Sequence, residues 1–113
     1  MILKLAIIGS RNAPAINIAQ YIEHRPGIVI SGGAKGVDTL AREYAQNNGI
    51  EFLEFLPNYA KYGRCAPLKR NDEIAAAADV CLAFWDGKSR GTAYTVKKFK
   101  ELGKPVHIIY INR

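Results

Sequence analysis

The sequence predicts an α/β fold, a three-layer, doubly wound parallel sheet of five strands in the order 3-2-1-4-5. Three observations carry that expectation. Apolar, β-branched runs alternate with segments of helical apolar spacing along the whole chain of 113 residues. The first run, Leu3 to Ile8, is almost continuously apolar, as a strand covered on both faces must be. Right-handed crossovers then leave few arrangements, and the order 3-2-1-4-5 places a reversal of strand order between the first and fourth strands.

The first strand ends in Gly9-Ser10-Arg11. Ile16, Ile18, Ala19 and Ile22 predict a helix of about a dozen residues, stopped before Pro26-Gly27. Ile28 to Ile30 is the second strand. Lys35 to Asn47 is the second helix, with Val37, Leu40, Ala41, Tyr44 and Ala45 on its buried face and Asn48-Gly49 as its stop. Ile50 to Leu56 is the third strand. Pro57 to Pro67 reads as a loop, longer than most in a compact domain and therefore a place to look for function. Pro67 suits the first turn of a helix running to Ala78. Val80 to Trp85 is the fourth strand, Gly91 to Leu102 the fourth helix, closed by Gly103, and Val106 to Ile111 the fifth strand.

The chain reads as one domain, 1–113. Its composition is 49% hydrophobic and 23% charged, which excludes a disordered chain. A net charge of +6 implies anionic partners, either phosphorylated small molecules or nucleic acid. Lys97, Lys98, Lys100 and Lys104 are spread around the last helix and read as solvated surface. The apolar start has no basic leader and is far shorter than a membrane span. Cys65 and Cys81 make neither a zinc site nor a disulfide framework, so a cytoplasmic location is expected. His24 and His107 have no partner at a spacing that suits a metal or a serine triad, and neither metal nor cofactor is expected.

Ligands of such sheets bind beyond the carboxyl ends of the strands, beside the reversal of order. Three loops meet there: Gly9-Ser10-Arg11, Ser31 to Gly36, and Asp86 to Thr92. Each carries a glycine, a hydroxyl and a basic residue. In the second, Gly32, Gly33 and Gly36 allow close approach of a ligand to the backbone ahead of a helix whose first N–H groups and dipole favour an anion. The alternative is a close strand-to-helix turn and nothing more. Ser31 stands where a dinucleotide fingerprint has its first glycine, and Leu82 stands five before Gly87-Lys88-Ser89, so neither that motif nor a P-loop is present. Arg11 reads as a phosphate clamp or as a surface arginine. Asp38 reads as a ligand contact or as the partner of Arg42 four residues on. Trp85, with Tyr59 and Tyr62, offers a face for a nucleobase, or Trp85 caps the core.

Gly9-Ser10-Arg11, the Ser31-Gly-Gly-Ala-Lys-Gly-Val-Asp38 motif, Arg70-Asn71 ahead of Asp79, and the Trp85 to Thr92 block together resemble the SLOG superfamily, in its small stand-alone YspA-like branch. The second motif is similar to the Ser-Gly-x-Ala-Arg-Gly-Ile-Asp signature of the DprA (Smf) family of single-strand DNA binders. Arg70 and the Gly91-Thr92 turn resemble motifs of the LOG family of phosphoribohydrolases. The resemblance implies a Rossmann-like fold, a nucleotide-derived ligand and a ligand-contacting role for Arg70. The chain departs from the LOG pattern at Thr95, where that pattern has its catalytic glutamate.

The leading expectation is therefore a module that binds or senses a nucleotide or nucleotide sugar. Its ligand-binding residues are Gly9, Ser10, Arg11, Ser31, Gly32, Gly33, Lys35, Gly36, Asp38, Arg70, Asn71, Trp85, Ser89, Arg90, Gly91 and Thr92. An alternative keeps this site and adds N-glycosidic cleavage of a nucleotide, with Asp38 or Asp86 as the catalytic carboxylate. A third is a DprA-like single-strand nucleic-acid binding module; under the leading expectation any binding of nucleic acid is weak and nonspecific. A homodimer stays open, and no membrane partner is expected.

Overall fold

The computed structural model describes residues 2–10, 14–32 and 36–111. Five parallel strands, β1 (Lys4–Gly9), β2 (Ile28–Ser31), β3 (Glu51–Glu54), β4 (Val80–Trp85) and β5 (Val106–Tyr110), form one sheet in the order β3-β2-β1-β4-β5. This is the predicted architecture, with the reversal of strand order between β1 and β4.

Alternation along β1 builds two cores, because successive side chains point to opposite faces of the sheet. Leu5 and Ile7 pack with Val29, Leu82 and Phe84 against Val37, Ala41 and Ala45 of α1 (Val37–Asn47). Ala6 and Ile8 pack with Ile30 and Ala83 against two further helices. These are the long helix that supplies Ile74 and the last helix, which supplies Val96 and Phe99. Each fully buried large side chain, such as Phe84 or Phe99, contributes about 1.5–3 kcal/mol. The end of α1 is held as its sequence demands. Gly49 takes φ +63°, and Arg25 Nη1 donates to the Asn48 carbonyl at 2.6 Å.

Two expectations are corrected. The first helix is not formed: among the described residues of that segment only Ile18–Tyr21 makes a single 3-10 turn, flanked by Asn17 and Ile22 in extended conformations and without a side-chain cap. Apolar spacing suggested a helix, but its carriers Ile16, Ile18 and Ile22 are β-branched and Pro14 stands near the start, so local propensity is weak. Burying Ile18 satisfies the core without a helix. The expected loop from Pro57 to Pro67 is instead largely helical. It contains α2 (Tyr59–Tyr62), capped by Asn58 Oδ1 accepting from Lys61 N at 3.1 Å, and a 3-10 turn at Gly63–Cys65. That turn leads into α3 (Ala66–Ala77), with Pro67 in its first turn as expected.

Boundaries move slightly elsewhere. β3 ends at Glu54 rather than Leu56, although Phe55 N still bonds the Ser31 carbonyl at 2.9 Å. The described part of the second helix starts at Val37, and Lys35 lies outside the described residues. The last helix, α4, spans Arg90–Glu101.

Candidate functional site

A cleft of about 500 Å³ opens at the carboxyl ends of the strands, where β1 and β4 diverge. Gly9 makes its floor. A Cβ there would lie 2.5 Å from Val37 Cγ2 and 2.7 Å from the Phe84 carbonyl oxygen, so only glycine lets the start of α1 close down on the sheet. Ser10 is buried and does not line the cleft. Its hydroxyl accepts from Asp86 N at 3.2 Å and ties the loop after β1 to the loop after β4.

The wall on the β2 side is Ser31 and Gly32. The Ser31 hydroxyl reaches the cleft but donates to the Ile7 carbonyl at 3.0 Å, so its proton is committed to the sheet. Gly32 permits a close approach by α3, since a Cβ would lie 2.9 Å from both Arg70 Cδ and Ile74 Cδ1. Arg70 lines the cleft with its guanidinium fixed in place. Nε donates to Asn71 Oδ1 at 2.7 Å and Nη1 donates to the Gly32 carbonyl. Asn71, Pro67 and Leu68 complete that side.

The opposite wall is a turn built by Asp86. Its Oδ1 accepts from Lys88 N and Ser89 N, each at 2.8 Å, while Gly87 takes φ +82°. Lys88, Ser89, Gly91 and Thr92 line the cleft from here. α4 begins at this turn with no side-chain cap and no acidic residue in its first turn. Thr95 also reaches the cleft, 2% exposed, with its hydroxyl donating to the Gly91 carbonyl at 2.9 Å.

Trp85 does not line the cleft. Its ring lies 5.8 Å from that of Tyr110 and its Nε1 donates to the Ser89 carbonyl at 3.0 Å, which braces the turn from outside. Tyr59, Gly36 and Arg90 also stand outside the lining. Arg11, Gly33 and Lys35 lie outside the described residues.

α1 enters the cleft through Val37 and Asp38, with Gly36 at φ +84° before them and no side-chain cap. Arg42 Nη2 donates to Asp38 Oδ2 at 3.4 Å and to Glu54 Oε2 at 2.7 Å. Glu54 titrates above the ordinary glutamate range. The hydrogen bond to Asp38, partial burial and the Asp38 charge outweigh the opposing pull of Arg42. Sequence reading missed Glu54 because the third strand was carried on to Leu56. A strand ending at Glu54 would have put that carboxylate at the ligand-binding edge.

Among the described residues no group of three or more His, Cys, Asp or Glu could hold a metal, and no helix is long and apolar enough to cross a membrane.

Comparison with known proteins agrees with this architecture. The DNA processing protein A (DprA) from Streptococcus pneumoniae superposes with a TM-score of 0.75 at 21% identity, over 95% of this chain and 50% of that one. The chain thus spans half of that protein's length, and the likeness is one of fold. The "Gene 61 protein" of Mycobacterium phage D29 is 35% identical over 85 residues, covering 70% of this chain and 68% of the phage protein. Residues 17–62 match the YspA, cpYpsA-related SLOG family. With that match and a relative so alike over so much of its length, the chain belongs to the YspA, cpYpsA-related SLOG family.

Proposed function

We propose that the protein binds a nucleotide or a nucleotide-derived ligand in the cleft between β1 and β4. One observation carries this reading: the N-termini of two long helices, α1 and α4, open into the same cleft without side-chain caps. The first turn of such a helix offers N–H groups that the helix itself does not pair and a partial positive charge, the arrangement that binds phosphate. Lys88 and Arg70 line the same space. A volume of about 500 Å³ suits one mononucleotide-sized molecule. Arg11, Gly33 and Lys35 belong to the proposed site on their sequence positions.

The test is to denature the purified protein and identify released nucleotides by mass spectrometry, then screen nucleotides by thermal shift. Ligand at 100 times its dissociation constant stabilises the fold by about 2.7 kcal/mol. No released nucleotide and no shift with any nucleotide would defeat the reading.

A second reading, single-strand nucleic-acid binding, draws on the fold shared with a DNA processing protein and on the net charge of +6. Under this reading an oligonucleotide binds tightly and survives physiological salt. Under the first, phosphate-only contacts are lost steeply as salt rises.

A further inference from the structure

Asp38 is the one acidic side chain in the first turn of either helix that opens into the cleft. It lines the cleft and is 6% exposed. Such a carboxylate counts against a phosphate beside it, since two like charges in a partly buried site repel. The phosphate is then better placed toward α4, where Lys88 lines the wall and the carboxylate of Asp86, which also lines the cleft, accepts from the Lys88 and Ser89 N–H groups. What Asp38 offers the rest of the ligand is hydrogen-bond acceptors. In a nucleotide the group next to the phosphate is the sugar, and the donors it presents are hydroxyls.

The carboxylate is also braced in a way that a surface ion pair does not require. Arg42 bridges Asp38 and Glu54, and its guanidinium stacks 5.2 Å from the centre of the Phe52 ring. Phe52 and Glu54 are two apart on β3 and therefore share a face of the sheet, so one strand supplies both the ring beneath Arg42 and the carboxyl beside it. The Asp38 carboxyl beside it, more than the pull of Arg42, holds Glu54 above its ordinary titration range. Two elements, α1 and β3, thus fix one carboxylate at the edge of the cleft.

We infer that Asp38, held in place by Arg42 and Glu54, recognises sugar hydroxyls, so that the ligand is a ribonucleotide-type compound with vicinal hydroxyls beside its phosphate. Asp38 is the specificity-determining contact, and Glu54 is a positioning residue. This deepens the nucleotide reading of the cleft and rests on it.

Calorimetric titration with AMP and with 2′,3′-dideoxy-AMP tests it. The wild-type protein prefers AMP by roughly ten- to a hundredfold, the worth of hydrogen bonds to a charged acceptor. Asp38→Asn collapses that ratio toward one. Glu54→Ala does the same, whereas Glu54→Gln, whose amide can still donate to Asp38, restores most of it. A merely structural role for Glu54 would weaken both ligands together and leave the ratio unchanged. Binding of both ligands with a wild-type ratio near one overturns this inference alone. So does a ratio unchanged in Asp38→Asn, or Glu54→Gln behaving like Glu54→Ala. Failure of the wild-type protein to bind either ligand overturns this inference, and overturns the nucleotide reading as well where no other nucleotide gives a thermal shift.

Discussion

Gly9→Ala is the sharpest test of how the cleft is built. The added methyl would lie 2.7 Å from the Phe84 carbonyl oxygen and 2.5 Å from Val37 Cγ2. Val37 can turn, but the carbonyl belongs to the β1–β4 ladder, where Gly9 pairs with Phe84. Overpacking of this kind costs about 1–3 kcal/mol. At about 2.1 cal/mol/K of unfolding entropy per residue, the chain of 113 residues loses about 4 °C in Tm for each kcal/mol, so the expected drop is about 4–12 °C. Gly91→Ala is the matched control, because nothing lies within 4 Å of its added Cβ and Gly91 is inside α4. It should hold Tm or raise it, by up to about 1 kcal/mol in stability. Thermal unfolding by circular dichroism, supported by urea midpoints at unchanged m, reads both variants. Equal Tm values for the two variants would refute the claim that Gly9 is a steric requirement.

Three further outcomes are expected. Cys65 is exposed and Cys81 buried, with burial pushing the Cys81 thiol far above its usual value, so a thiol reagent should titrate one cysteine in the native protein and two in denaturant; rapid native reaction of both would contradict the core packing of β4. Lys104 Nζ donates to the Ala75 and Ala76 carbonyls at 2.7 and 3.1 Å, so Lys104→Met should remove roughly 1–2 kcal/mol of stability, whereas no change in the urea midpoint would make it the solvated lysine that sequence reading took it for. Thr95 has no carboxyl, and its hydroxyl is bonded to Gly91. Release of adenine from AMP should therefore be absent or very slow by chromatography, since a positioned acid or base is worth about 10²–10⁴-fold; fast release lost in Asp38→Asn would establish the hydrolase alternative.

Much of the fold could be read from particular residues. The apolar run of β1 announced a strand buried on both faces, and Gly49 and Gly103 marked helix ends where φ is +63° and +71°. The failures have physical causes. Ile16, Ile18 and Ile22 fit an extended chain as well as a helix, and a single buried side chain decided the matter. α2 is only four residues long, too short for periodicity to register, and its signals were one cap, Asn58, and one glycine, Gly63 at φ +58°. In the site, Gly9, Ser31, Gly32, Asp38, Arg70, Asn71, Ser89, Gly91 and Thr92 are brought to one cleft. Trp85 and Ser10 instead support it from behind, through hydrogen bonds to backbone that no spacing rule reveals. Glu54 and Arg42 reach Asp38 through packing against β3, a tertiary contact with no local pattern to signal it.

The cleft between β1 and β4 is proposed to hold a nucleotide through its phosphate. Calorimetric titration of the purified protein with AMP and with adenosine decides this, because the two ligands differ only in the phosphate, the group assigned to the start of α4 and to Lys88. A charge-assisted contact is worth about 1.5–3 kcal/mol, so AMP should bind roughly ten- to a hundredfold more tightly than adenosine, with the advantage lost when Lys88 and Arg70 are both replaced by alanine. Equal affinity for AMP and adenosine, or an AMP affinity untouched by that double replacement, would rule out phosphate binding in this cleft.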